Sequence, residues 1–111
     1  MTPQRHSARP EVVPLDVLTA EEITRLSEIF AALCDPTRVR IIYSIRTHER
    51  SVGEIAELLS LSEPSVSQHL RRLRTLRIVR MRAEGRYRYY QLDDSHVETL
   101  LAVCLDHVRG R

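Results

Sequence analysis

The sequence predicts a mainly helical domain with one β-hairpin, arranged as a winged helix-turn-helix. Two short amphipathic helices are separated by the single residue Leu61, and the second of them, residues 62–77, is rich in arginine. After this helix the period of the apolar residues changes from that of a helix to strict alternation, with a glycine in the middle of the alternating stretch. A helix-turn-helix followed by a hairpin is the winged form of this fold.

The N-terminal part predicts an arm followed by two helices. Residues 1–18 hold three of the five prolines and show little periodicity, so we expect a flexible arm ahead of one folded domain over residues 19–111. Thr19 and Glu22 have the spacing of a capping box, which opens a helix to about Leu33. The pair Asp35-Pro36 starts a second helix. Its side chains expected to be buried are Val39, Ile41, Ile42 and Ile45.

The helix-turn-helix and the wing follow a loop at residues 47–50. A second capping box, Ser51 with Glu54, opens a helix that ends near residue 60. Ser62 is the predicted N-cap of the next helix, whose buried stripe is formed by Val66, Leu70 and Leu73. Two strands are joined by a turn at residues 84–85, and a last helix starts at residues 93–95 and runs to about residue 108.

Basic residues are concentrated on the second helix of the pair and on the hairpin. The chain has 17 basic and 15 acidic residues, and eight of the basic ones lie within residues 71–88, where Glu84 is the one acid. Guanidinium, amide and hydroxyl groups on one helix face suit the phosphates and base edges of duplex DNA. The predicted DNA-binding residues are Ser65, Ser67, Gln68, Arg71 and Arg72 on the helix, and Arg82, Arg86 and Tyr87 on the wing.

Three stretches carry a resemblance to a known family: FAALCDPTRVRII, SVGEIAELLSLSEPSVSQHLRRLR and VRMRAEGRYRYYQLDDSHV. Together they resemble the ArsR/SmtB family of bacterial metal-responsive repressors, over nearly the whole chain from about Leu26 to Arg109. The resemblance implies a homodimer, paired through the first and last helices. It also implies that this dimer binds double-stranded operator DNA until an inducer binds.

The last helix carries two histidines, His96 and His107, that are candidate metal ligands. Their spacing places them on the same side of the helix but about 16 Å apart along its axis, so one ion cannot bind both. If two copies of the helix pack antiparallel across a two-fold axis, His96 of one chain lies beside His107 of the other. Asp94, at the helix start, offers a carboxylate to the same ion.

The resemblance implies the same ligands. The zinc sensors of the family take Asp and His from one chain, at the positions of Asp94 and His96, and two ligands from the other. His107 matches the first of those two, and Gly110 stands where the family has a second side-chain ligand. Imidazole and carboxylate suit zinc first, with cobalt and nickel as alternatives. Candidates for the fourth ligand are water, the terminal carboxylate of Arg111 and His6.

The two cysteines leave an alternative open. Cys104 falls at the centre of the apolar face of the last helix and Cys34 precedes a helix start, so a buried packing role for Cys104 and a structural role for both is the default. The alternative function is a thiol-based redox or persulfide-sensing repressor of the same family that uses Cys34 and Cys104. A third role for Cys104 is that of a metal ligand.

Other functional classes receive less support. No serine or cysteine lies in a nucleophile motif and no Gly-rich phosphate loop is present, so an enzyme is not expected. A DNA-binding protein with no inducer is a further possibility. Two cysteines, no charged and apolar leader and no apolar run of membrane-spanning length predict a cytoplasmic protein without a membrane partner.

Overall fold

The computed structural model describes residues 11–110, which form five α-helices and three β-strands. The order is α1 (Ala20–Leu33), α2 (Pro36–Ser44), β1 (Arg50–Ser51), α3 (Val52–Leu59), α4 (Glu63–Thr75), β2 (Val79–Glu84), β3 (Tyr87–Leu92) and α5 (Ser95–Val108). A short 3-10 turn, Leu15–Val17, precedes α1. His6, the rest of the first ten residues and Arg111 lie outside the described residues, and the division into arm and domain stays a prediction.

Both predicted capping boxes are present. The Thr19 hydroxyl accepts a hydrogen bond from the Glu22 amide, and the Glu22 carboxylate accepts one from the Thr19 amide, both at 3.0 Å. Ser51 and Glu54 make the same reciprocal pair, at 3.1 and 2.7 Å. Each box satisfies two amides that have no partner inside the helix, so α1 and α3 begin where the sequence predicts.

Asp35 begins α2 and ties it to α1. Its carboxylate accepts a hydrogen bond from the Thr37 amide at 2.8 Å, and this bond is the main reason that the pKa of Asp35 lies below its ordinary value. Arg38 lies 3.4 Å from the same carboxylate and donates from Nε to the carbonyl of Ala32 at 2.8 Å. The guanidinium of Arg38 therefore satisfies carbonyl groups at the end of α1.

The hydrophobic core lies where α2, α3, α4 and the sheet meet. The predicted stripe of α4 is fully buried, and so are three of the four residues expected on α2, whereas Val39 is only half-buried. Apolar residues from every helix except α5 and from β2 and β3 enter this core. They are Ala32, Ile41, Ile42, Ile45, Ile55, Ala56, Val66, Leu70, Leu73, Ile78, Val79 and Leu92.

The wing is part of a three-stranded antiparallel sheet with strand order β1-β3-β2. Two details of the prediction are wrong. Arg50 does not belong to the loop but pairs with Tyr90, because the short strand β1 adds to the free edge of β3. The turn lies at residues 85–86 rather than 84–85, since Glu84 pairs with Tyr87 and Gly85 takes the positive φ of 60° that such a two-residue turn favours in glycine.

Helices α3 and α4 end in the same backbone motif. After α4, Arg77 has a φ of 60°, its amide donates to the carbonyl of Arg74, and the Ile78 amide donates to that of Leu73. This is the Schellman arrangement, so α4 ends at Thr75 and not at Arg77 as predicted. Ser60 has a φ of 59° after α3. No helix of the described part is long and apolar enough to cross a membrane.

Candidate nucleic-acid interface and metal centre

The predicted reading face of α4 is exposed because the opposite face is buried in the core. Ser62 caps the helix by accepting a hydrogen bond from the Ser65 amide at 3.2 Å. Gln68, Arg71 and Arg72 are exposed, while Ser65 and Ser67 are half-buried at the edge of this face. The helix therefore presents donors and acceptors to a partner along most of its length.

Arg82, the first of the predicted wing residues, is bound to two carboxylates. Its guanidinium donates to Glu49, at 2.6 and 3.2 Å, and also to Glu84, and it lies 4.7 Å from the centre of the Tyr89 ring. The hydrogen bond with Arg82 lowers the pKa of Glu49, and the bonds with Glu49 and then Glu84 raise the pKa of Arg82. Glu49 is not among the predicted site residues, because it lies 33 residues before Arg82 in the chain and no local pattern connects it with the wing.

The tip of the wing keeps its basic and aromatic groups exposed. Arg86 lies in the turn, with its guanidinium carbon 5.7 Å from the centre of the Tyr87 ring. Tyr87 is 52% exposed. An arginine and an aromatic ring in this position can contact a nucleic-acid backbone without breaking an existing ion pair.

Asp94 and His96 lie together at the beginning of α5. One oxygen of the Asp94 carboxylate accepts a hydrogen bond from the His96 amide at 2.9 Å, and the other lies 3.1 Å from Nδ1 of the His96 ring. The side chain of His96 is 83% exposed and that of Asp94 is 50% exposed. The carboxylate thus caps the helix and at the same time orients the imidazole, with the other ring nitrogen open to a ligand.

His107 lies at the opposite end of α5, in the last helical turn, and is exposed. The helix separates it from His96 by about 16 Å, as predicted, so the two histidines of one chain cannot share an ion. Within residues 11–110 no group of three His, Cys, Asp or Glu side chains is placed to hold a metal ion. Gly110 has a φ of 75°, and it offers no side chain.

Large apolar side chains are exposed on α1 and on α5. Val97 and Leu101 of α5 pack against the core, whereas Val103 is 61% exposed. On α1, Ile23, Leu26 and Phe30 are also open to solvent. Large apolar side chains left open on two helices make these helices candidates for contact with a partner.

Both cysteines are free and exposed. The prediction that Cys104 is buried is wrong for the single chain. The reason is that α5 touches the core through only part of its apolar face, and Cys104 lies on the part left uncovered.

Comparison with known proteins agrees with this architecture. A family described as "Bacterial regulatory protein, arsR family" matches residues 35–81, which span α2, α3 and α4. A transcriptional repressor, the SmtB homolog of Synechocystis, is 37% identical over 106 residues, which are 96% of this chain and 76% of the relative. The chain belongs to the ArsR family of bacterial regulatory proteins.

Two further transcriptional regulators are similar to the chain. The transcriptional regulator KmtR of Mycobacterium tuberculosis is 41% identical over 86 residues, covering 78% of this chain and 66% of KmtR. The cadmium resistance transcriptional regulatory protein CadC homolog of Staphylococcus aureus is 39% identical over 85 residues, covering 76% of this chain and 70% of that protein.

A solved structure shows the same fold. The homodimeric winged helix-turn-helix DNA-binding domain Mb0332 of Mycobacterium bovis superposes with a TM-score of 0.75 at 23% identity, covering 83% of this chain and 89% of that one. The predicted family and fold class are therefore confirmed. So is the prediction that this ArsR-family chain is a transcriptional regulator and not an enzyme, since its relatives are regulators.

Proposed function

We propose that the chain is a repressor that binds operator DNA as a homodimer and releases it when a divalent metal ion binds between the two α5 helices. The observation that carries this proposal is the contact between Asp94 and His96 at the beginning of α5, a helix that also leaves the apolar side chain of Val103 exposed. Two oriented ligands at a dimer surface form half of a metal site, and the other half must come from a second chain.

The second chain supplies His107 in this proposal. Antiparallel packing of two α5 helices through their exposed apolar faces brings His107 of one chain beside Asp94 and His96 of the other. The fourth position is filled by water, by the C-terminal carboxylate or by His6. A set of one carboxylate and two imidazoles suits zinc, and cobalt and nickel accept the same ligands. The similarity to a cadmium resistance regulator supports control by a divalent metal, and it leaves the choice of metal open.

DNA is bound by α4 and the wing. Helix α4 lies in the major groove, where Ser65, Ser67, Gln68, Arg71 and Arg72 contact base edges and phosphates. Arg86 and Tyr87 contact the backbone from the tip of the wing. Arg82 also contacts a phosphate, but its ion pairs with Glu49 and Glu84 must break first.

Metal acts through a difference in affinity between two dimer shapes. An ion held by both chains fixes the angle between the two α5 helices, and α5 is joined to the wing through β3. If the metal-bound angle no longer places the two α4 helices in successive major grooves, affinity for DNA falls. By reciprocity, operator DNA weakens metal binding by the same factor.

The test is DNA binding by fluorescence anisotropy, on the DNA upstream of the gene for this chain, first with chelator and then with zinc, cobalt or nickel. We expect metal to weaken binding by at least tenfold in the wild type and to have no effect in His96→Ala or His107→Ala, within the usual range of allosteric coupling. Glu57→Ala is the control, since this exposed carboxylate lies on α3 and not on α5.

Two results would contradict the proposal. Metal release that persists in both α5 variants would place the metal site elsewhere. Release by a disulfide-forming oxidant, with indifference to all three metals, would move the sensing to Cys34 and Cys104.

A further inference from the structure

A groove of about 740 Å³ runs between α1 and α4. The α4 wall carries residues spaced by three and four along the helix, which form one stripe: Gln68, Arg71, Arg72 and Thr75. The α1 wall carries Arg25 and Glu28. The face of α4 assigned to DNA is therefore also one side of a groove whose other side belongs to α1.

The groove has an excess of unpaired positive charge. The guanidinium groups of Arg25, Arg71 and Arg72 make no hydrogen bond or ion pair with another residue in the described part of the chain. Arg38 of α2 also lines the groove but is paired with Asp35, and Glu28 is the one acid in the α1 and α4 walls. Three guanidinium groups around one groove repel each other, and an anion bound among them removes that repulsion and gains charge-assisted hydrogen bonds.

Arg25 is unusual in the sequence. It is the one basic residue within residues 11–35, which hold six acidic residues. The fold nevertheless places it opposite the arginine-rich helix. In the sequence, one arginine among acidic residues does not indicate DNA binding. Its position beside the arginine-rich helix is seen only in the folded structure.

We propose that this groove binds a phosphate oxyanion of the DNA backbone between Arg25 and Arg72, so that the DNA interface extends from α4 onto α1. This inference rests on the proposed function, because it takes α4 to lie against DNA. A duplex seated on Gln68 and Arg71 brings one strand's backbone alongside the groove. The planar guanidinium of Arg25 then donates to a phosphate from the side of α1.

The first test compares two matched variants, Arg25→Gln and Arg40→Gln, in DNA binding with chelator present and over a range of salt concentrations. Arg40 is two residues after Arg38, so it points about 200° away from the groove, and it donates to the carbonyl of Leu59. We expect Arg25→Gln to weaken binding roughly fivefold to tenfold and to lower the slope of log affinity against log salt by about one per protomer. Arg40→Gln leaves both unchanged.

A second variant has the opposite expected sign. Glu28→Gln removes the acid that repels a phosphate, so affinity for DNA rises by roughly twofold to fivefold while the far-ultraviolet circular dichroism stays that of the wild type. A loss of affinity in Glu28→Gln, or an Arg25→Gln variant that behaves like Arg40→Gln, overturns the proposal.

Two further arms separate the possible failures. If Arg71→Gln loses DNA binding and Arg25→Gln does not, the groove proposal fails while the α4 interface holds; if neither variant loses binding, the α4 interface itself fails.

Inorganic phosphate is then compared with chloride at equal ionic strength. Equal loss of DNA in the two salts is the expected result, and displacement by phosphate that requires Arg25 would make a free oxyanion, rather than the DNA backbone, the ligand.

Discussion

At the scale of residues, the arginines divide into those that are bound within the fold and those that are not. Arg38 holds the end of α1, and Arg82 holds the wing to the loop before β1 through Glu49. Arg71 and Arg72, by contrast, are open on α4. The open arginines can bind a phosphate without breaking an existing ion pair, so we expect them to contribute most to DNA affinity.

The contact between Glu49 and Arg82 gives a prediction about pH. The hydrogen bond from Arg82 lowers the pKa of Glu49, so the contact stabilises the fold above the unfolded pKa of about 4.3 and is lost as pH falls through the lower folded pKa. Carbon-13 shifts of the side-chain carboxyl should show a midpoint below that of an ordinary glutamate, and Arg82→Gln should return it to the ordinary value. Arg88→Gln is the control. An unchanged midpoint in Arg82→Gln would show that the contact is absent in solution.

At the scale of elements, the turn between α3 and α4 sets the direction of the reading helix. Ser60 takes a left-handed conformation, and the amide of Leu61 donates to the carbonyl of Ala56 at 2.9 Å. The Leu61 side chain packs against the core, and Ser62 caps α4 at once. With no spare residue between them, the two helices keep a fixed angle.

Ser60→Gly is expected to stabilise the protein. A side chain in the left-handed region costs roughly 1–2 kcal/mol, and glycine avoids this cost but gives the unfolded chain more freedom, so the net gain is about 0.5–1 kcal/mol. Urea unfolding should give a higher midpoint at an unchanged slope. Ser60→Ala keeps the strain and serves as the control. A lower midpoint for Ser60→Gly would mean that the Ser60 side chain itself stabilises the turn.

At the scale of the whole molecule, the proposed dimer accounts both for the exposed apolar side chains of α1 and α5 and for the separation of the candidate metal ligands. One chain leaves Phe30 and Val103 more than half exposed and places Asp94 and His96 a helix length from His107. In the proposed dimer, pairing two chains through these helices would bury the apolar side chains and bring the ligands together.

Val103→Asp is expected to give monomers, because it places a charge in the centre of the proposed interface. The monomer should also lose tight zinc binding, since residues 11–110 of one chain hold no group of three ligands close together. Leu58→Asp is the control, an equally drastic change at a leucine of α3 that is 54% exposed. Sedimentation velocity and a zinc titration measure the two properties. A dimeric Val103→Asp protein would place the interface elsewhere.

Mixed dimers test whether the metal site is shared. In a dimer of one His96→Ala chain and one His107→Ala chain, one site loses both histidines and the other keeps both. We therefore expect each variant alone to bind no zinc tightly and the mixture to recover about one ion per mixed dimer, by the symmetry of a two-fold interface. Titration after unfolding and refolding the two chains together gives the stoichiometry. No recovery would argue against a site built from both chains.

The sequence by itself determined the helices, their caps and the buried stripe of α4. These features depend on hydrogen bonds and side-chain spacing within a few residues, as at Thr19 with Glu22 and at Ser51 with Glu54. The metal-ligand candidates also came from spacing along one helix, together with a resemblance that implied a dimer.

The tertiary structure decided which of these groups meet. It paired Arg82 with Glu49, added β1 to the edge of the wing, placed Arg25 opposite α4 and left Cys104 exposed. Such contacts join residues far apart in the chain, and they follow from how helices and strands pack rather than from any local preference. For that reason the reading face could be predicted from one helix, but the groove beside it could not.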